Sequence, residues 1–115
     1  MIIVQNQISL AELSEMSKKM VNNLVKAVVD IERGIIAVDA PMHVDLEFLL
    51  LDNESEQENL WGINLYPEQA IDNNWIEFDS LINLRPSCGN RSRSVESPER
   101  REKIIKIINK LVKKS

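Results

Sequence analysis

Long apolar runs, cysteine pairs and aromatic clusters are all missing from this chain, and each absence removes a class of function. No apolar stretch approaches the roughly 20 residues needed to cross a bilayer. The start, Met1-Ile2-Ile3-Val4-Gln5-Asn6, carries neither a basic n-region nor a small-residue cleavage site. The expectation is a cytoplasmic protein with no membrane segment. Cys88 is the only cysteine, which excludes an intramolecular disulfide and a four-cysteine zinc centre. Aromatic residues are 4% of the chain, so a base-stacking surface would have to come from Trp61, Trp75 and Tyr66. Neither a Gly-x-Ser-x-Gly elbow nor a histidine paired by spacing to a nucleophile is present, which leaves serine and cysteine triads without a signature.

What is present suits one domain with its own core. The 115 residues are 43% apolar and 28% charged, near the averages for globular chains and far from those of disordered ones. A chain of this length buries most of its apolar side chains in a single core. The net charge of −4 conceals a polarity: residues 1–84 hold 4 basic and 15 acidic side chains, and residues 85–115 hold 10 basic and 3 acidic. Such asymmetry marks either a polyanion-binding tail or two faces that attract one another within a fold or a homo-oligomer. Lys103, Lys106, Lys110, Lys113 and Lys114 also satisfy a helix dipole and its solvated face. The overall acidity argues further against nucleic acid as a partner.

Local patterns place the elements. Ile2 to Val4 predicts a short strand. Ser9 followed by Glu12 predicts a capping box, with Ile8 and Leu13 as a hydrophobic staple, for a helix continuing to Asn22-Asn23. Val25–Ile31 and Ile35–Val38 are β-branched runs joined by Glu32-Arg33-Gly34, a hairpin with glycine at a left-handed position. His43–Leu51 fits both periods. The alternation of Val44, Leu46, Phe48 and Leu50 favours a strand, whereas Leu46, Leu49 and Leu50 fit a helix. A strand over 61–66 follows, then a loop over 67–74, then a long or bent strand over 75–85. Arg85–Ser94 is a loop, and Ser97-Pro98 starts a C-terminal helix with Ile104, Ile105, Ile108, Leu111 and Val112 inward. The fold class is α+β: a mostly antiparallel sheet of five or six strands with the N- and C-terminal helices packed on one face.

The stretches Leu60-Trp61-Gly62-Ile63-Asn64-Leu65-Tyr66-Pro67, Ile76-Glu77-Phe78-Asp79-Ser80, Val28-Val29-Asp30-Ile31-Glu32, and Arg85-Pro86 running into Gly89-Asn90-Arg91-Ser92-Arg93 carry a resemblance. From Val25 to the final helix the chain resembles a family of small uncharacterised bacterial proteins, a domain of unknown function. The resemblance implies no activity or cofactor. Cys88 sits where this loop is expected to vary, which counts against a cysteine nucleophile.

Two groups of residues invite chemistry. In the loop, Arg85, Arg91 and Arg93 supply planar forks of donors, Asn90 and Ser92 add polar groups, and Gly89 lets backbone N–H groups approach an anion. With Asn64, Tyr66 and Asp79 nearby, this predicts a small binding module for an anionic group on a small molecule or a protein partner. The bland alternative is that the arginines pair with the acidic sheet face. His43, Asp45 and Glu47 at i, i+2 and i+4 would share one face of a strand and could serve a metal-dependent hydrolase. A purely structural subunit of an oligomer is the third reading. On the strand alternation Asn83 and Arg85 also point outward, Trp61 packs in the core, and Trp75 shares the polar face, where exposure would make it an anchor for a partner.

Overall fold

A computed structural model describes residues 1–71 and 73–114, so that Asp72 of the expected 67–74 loop and the terminal Ser115 lie outside the described residues. The regular elements in chain order are β1 (Ile2–Val4), β2 (Ile8–Ser9), α1 (Leu10–Ser17), β3 (Val25–Asp30), β4 (Ile35–Val38), α2 (His43–Asp52), β5 (Leu60–Leu65), β6 (Ile76–Glu77), α3 (Pro98–Leu111) and β7 (Val112–Lys113), with short 3-10 turns between them. Five strands form an antiparallel sheet in the order β1-β4-β3-β5-β6, and β2 pairs with β7 as a small parallel ribbon. The class is α+β, as the sequence predicts.

The β3–β4 hairpin forms where expected. Gly34 holds φ +68, a conformation that costs a side chain with a Cβ. The buried Asp30 closes the turn: one carboxylate oxygen accepts from the backbone N–H groups of Glu32 and Arg33, both at 3.0 Å, and the other accepts from the Ser55 hydroxyl at 2.7 Å. Strand alternation then gives the sheet two apolar faces. On one, Val25, Ala27, Val29, Ile36, Val38, Trp61, Ile63 and Leu65 pack with Leu13 of α1 and with Ile104, Ile108 and Leu111 of α3. On the other, Val28, Ile35, Ala37 and Leu60 pack with Leu46 and Leu50 of α2. The N- and C-terminal helices therefore share one face, and α2 covers part of the opposite one. No helix among the described residues is long and apolar enough to cross a membrane.

Both helix starts follow their local signals. The Ser9 hydroxyl accepts from the Glu12 N–H at 3.0 Å in a complete capping box, and the Ser97 hydroxyl accepts from the Arg100 N–H at 3.2 Å, with Pro98 in the first turn. Helix α1 stops at Ser17, sooner than expected. The Ser17 hydroxyl donates back to the Ser14 carbonyl, the Lys19 and Met20 N–H groups bond three residues back, and Asn22 and Asn23 take positive φ.

Three strand-based expectations are corrected. Residues 43–52 are helical, because the buried set is His43, Leu46, Glu47 and Leu50, spaced at i, i+3, i+4 and i+7, while Phe48 is exposed. Two members of that stripe are polar, which hid the helical period. The expected long strand over 75–85 reduces to the two residues of β6, followed by a 3-10 turn at Leu81–Asn83 where the Ser80 hydroxyl accepts from the Ile82 N–H. Trp75 is 1% exposed and packs in the core, with the Lys114 ammonium 5.7 Å from its ring centre. It offers no surface anchor. Trp61 is in the core as expected.

Gly62 is where the sheet meets this turn. A Cβ there would lie 2.6 Å from Ser80 Cβ, 2.7 Å from Ser80 Oγ and 3.1 Å from Ile82 Cγ1. Gly62→Ala should therefore cost about 1–3 kcal/mol through overpacking, read as a lower denaturant midpoint. An unchanged midpoint would mean that the turn can move away freely.

Candidate functional site

The outer edge of β5 is completed by a side chain. β6 pairs only with Asn64 and Leu65, and beyond it the amide of the fully buried Asn83 takes the place of a strand. Its Oδ1 accepts the Gly62 N–H at 2.8 Å, and its Nδ2 donates to the Gly62 carbonyl and the Arg93 carbonyl, both at 2.9 Å. Asn90, also fully buried, ties the next layer: its Nδ2 donates to the carbonyls of Asn83 (2.7 Å), Ser92 (3.1 Å) and Ser94 (2.7 Å), and its Oδ1 accepts the Glu96 N–H at 2.9 Å. Arg85 and Asn90 exchange backbone hydrogen bonds, and Gly89 closes the intervening turn at φ +74. These contacts satisfy backbone groups that would otherwise be buried unpaired.

The loop's cations divide between structure and surface. Arg85 donates from Nη2 to Glu47 of α2 at 3.1 Å, with side chains 11% and 7% exposed, and its guanidinium lies 5.0 Å from the Trp61 ring centre. Arg100 approaches the same ring at 4.7 Å and donates to the Cys88 carbonyl. Arg101 donates to the Val95 carbonyl and the Ser94 hydroxyl and lies over Phe78. A buried ion pair of this kind joins α2 to the loop, and removing one partner leaves the other uncompensated. Arg91 is exposed. The Ser92 hydroxyl, and after it the Arg91 backbone N–H, donate to Glu96 and hold that carboxyl below its ordinary range.

Arg93 turns the other way, toward the sheet face that α2 leaves partly open. Its Nε donates to Asp79 at 2.8 Å, and the pair is 55% and 44% exposed. Beside it, the Asn64 Nδ2 donates to Glu77 Oε1 at 2.8 Å and to the Asp79 carbonyl at 3.3 Å, and the Tyr66 hydroxyl donates to the same Glu77 oxygen at 3.0 Å. Burial, then the bond to Glu77 and the charges of Glu77 and Asp79, push the Tyr66 phenol up. Lys26 stands directly across the β3–β5 ladder from Asn64. An open cleft of about 410 Å³ runs between the start of α2 and the Ser80–Ile82 turn, lined by Lys26, His43, Ser80 and Arg93 and by the apolar Met42, Val44, Leu81 and Ile82.

His43 sits at the first position of α2, where its Nε2–H donates to the Ile63 carbonyl at 2.8 Å. Desolvation lowers its pKa from the ordinary 6.5, assisted by the positive charges of Lys26 and Arg93 and opposed by the Ile63 bond and by Asp79. The ring is held neutral with Nδ1 as the acceptor.

The structure thus brings Asn64, Tyr66, Asp79 and Arg93 into one cluster, and separates them from Arg85, Asn90, Arg91 and Ser92, whose contacts are with α2, the loop backbone and Glu96. On a helix His43 and Glu47 share a face and Asp45 points away into solvent. The three do not converge, and no group of three or more His, Cys, Asp or Glu among the described residues is placed to hold a metal ion. The sequence reading missed Lys26 and Ser80. A single lysine inside the otherwise apolar Val25–Val29 run was the available signal.

The model of a family described as protein of unknown function (DUF5674) matches residues 2–111. The chain belongs to that family. The match extends further toward the N-terminus than the resemblance read from Val25 onward. No curated protein and no solved structure gives a match.

Asn90→Ala would strand three carbonyls and an N–H in the interior and should destabilise by about 3 kcal/mol, while Arg91→Ala should change stability by less than about 0.5 kcal/mol. Comparable unfolding midpoints for the two variants would contradict the structural role of Asn90. Because the folded value of His43 lies below 6.5, the unfolded chain holds more protons in the window between them. The His43 contribution is complete above 6.5 and is lost as pH falls through that window. Denaturation across this range should therefore show a fall in stability toward acid that is reduced in His43→Gln. Identical pH profiles would show that the ring is not held neutral.

Proposed function

We propose that the protein is a small binding module that takes an anionic group, a carboxylate or phosphate, in the cleft beside the start of α2. The observation that carries this reading is Lys26. It lines the cleft, and among the described residues no ion pair or hydrogen bond engages its ammonium, although residues 1–84 hold 15 acidic side chains. Arg93 stands at the same cleft. Its contact with Asp79 is single, through Nε, and more than half of its side chain is exposed, so the remaining guanidinium donors are open to a ligand. Helix α2 begins at Met42 without a side-chain cap, which leaves its first N–H groups directed out of the helix end, where they favour negative charge. Of the loop residues named from the sequence, Arg93 is the one this reading retains, with Asp79 as its ion-pair partner and Asn64 and Tyr66 bonded to the neighbouring Glu77.

The test is titration of the protein with inorganic phosphate and with acetate, followed by amide chemical shifts. Saturable changes should centre on Lys26, His43, Ser80 and Arg93. Lys26→Gln should weaken binding about 10-fold or more, the loss of a charge-assisted contact, and leave the unfolding midpoint within about 0.5 kcal/mol of the parent. Shifts that do not saturate, or that are unaltered in the variant, would defeat the proposal.

A further inference from the structure

Lys26 lines more than the cleft. Two further recesses meet at its side chain, of about 240 and 490 Å³, and they share Lys19, Met20, Lys26 and Pro41. The smaller is walled by Met16, Met20, Val25, Ala40 and Pro41, and the larger continues past Val21, which is 83% exposed. On one side of Lys26 therefore lies the cleft with Arg93, and on the other the recesses between the end of α1 and Pro41, with Met16, Met20 and Val25 as apolar wall and Lys19 at their border. Three of the four basic residues in the first 84 positions, Lys18, Lys19 and Lys26, are gathered at this end of the molecule. Lys18 is occupied by Glu15, while Lys19 and Lys26 border the recesses. Asp39 also lines the smaller recess, together with Lys19 and Lys26.

We infer that the occupant is an amphiphilic monocarboxylate, whose carboxylate meets Lys26 at the junction and whose alkyl chain lies along the Met16, Met20, Val25 and Pro41 walls. The inference rests on the anion-binding reading of the cleft and adds the chemical class of its ligand. Unbranched methionine side chains with soft sulfur atoms adapt to an alkyl chain of variable shape. A wall of apolar atoms with cations at its rim suits a molecule with one charged end, and a recess of this size admits a chain rather than a folded partner.

The test compares acetate, hexanoate and decanoate with decanol and with inorganic phosphate, each below its micelle concentration, by calorimetry and amide shifts on the full chain. Affinity should rise roughly two- to fourfold per methylene from acetate to decanoate as the chain leaves water, with shifts spreading from Lys26 to Met16, Met20 and Val25. Decanol should bind at least about 10-fold more weakly than decanoate, having no charge-assisted contact with Lys26. Met20, which belongs to neither core cluster, can be changed to glutamine without emptying the interior. Met20→Gln should flatten the dependence on chain length and leave acetate binding unchanged. Binding of acetate and phosphate with no rise along the series would overturn the amphiphile and leave the anion site standing. Binding of none of the anions would defeat both, and decanol equal to decanoate would show a greasy groove unconnected to Lys26.

Discussion

The rest of the structure depends on how the open edge of β5 is closed. A central sheet strand needs partners for its backbone groups on both sides, and β6 supplies them only for Asn64 and Leu65. The side chain of Asn83 supplies them for Gly62, donating and accepting as a neighbouring strand would. Gly62 can carry no Cβ, because Ser80 and Ile82 of the turn that presents Asn83 fill the space it would occupy. Asn83 in turn is fixed through its own carbonyl by Asn90. The segment that looks most like a ligand-binding loop in the sequence thus holds in place the side chain that closes the sheet edge.

This arrangement decides which polar residues are free. Arg85 is held against Trp61 and paired with Glu47, so it fastens α2 to the loop. Trp61 Nε1 and Arg85 Nη1 are buried without a hydrogen-bond partner among the described residues, and the Arg85 guanidinium lies over the indole face. His43 fastens the other end of α2 to β5 through the Ile63 carbonyl. Held at these two points, α2 packs Leu46 and Leu50 on Val28, Ile35, Ala37 and Leu60, and beside its first residue Lys26 lines the open cleft. The cleft lies beside the start of α2, and Lys26 borders both it and the two recesses.

Features written in a few adjacent residues were legible in the sequence. The hairpin with Gly34 at its left-handed position, the Ser9–Glu12 capping box and the Ser97-Pro98 start each depend on spacing within one turn, and each forms, the hairpin with β3 ending at Asp30, one residue before the sequence places it. Helix α2 was not legible as a helix because its buried stripe contains His43 and Glu47, which a hydrophobic pattern counts as solvent-facing. Their burial depends on Ile63 and Arg85, 20 and 38 positions away. The strand over 75–85 failed for a related reason: an asparagine side chain replaces backbone pairing, and no periodicity announces it. The sequence sets Asn64, Tyr66 and Asp79 beside the whole Arg85–Ser94 loop, of which the structure brings Arg93 to Asp79, and it gives no notice of Lys26, which sits inside a strand of apolar pattern.

Hydrogen exchange at the single amide of Gly62 tests most directly whether a side chain completes this sheet. If Asn83 acts as the missing strand, the Gly62 N–H should exchange only by global unfolding, with protection equal to that of Val28 in the adjacent strand. Exchange at the rate of an exposed loop amide, while Val28 stays protected, would show that the edge is open and that the account of the Arg85–Ser94 segment as structure is wrong.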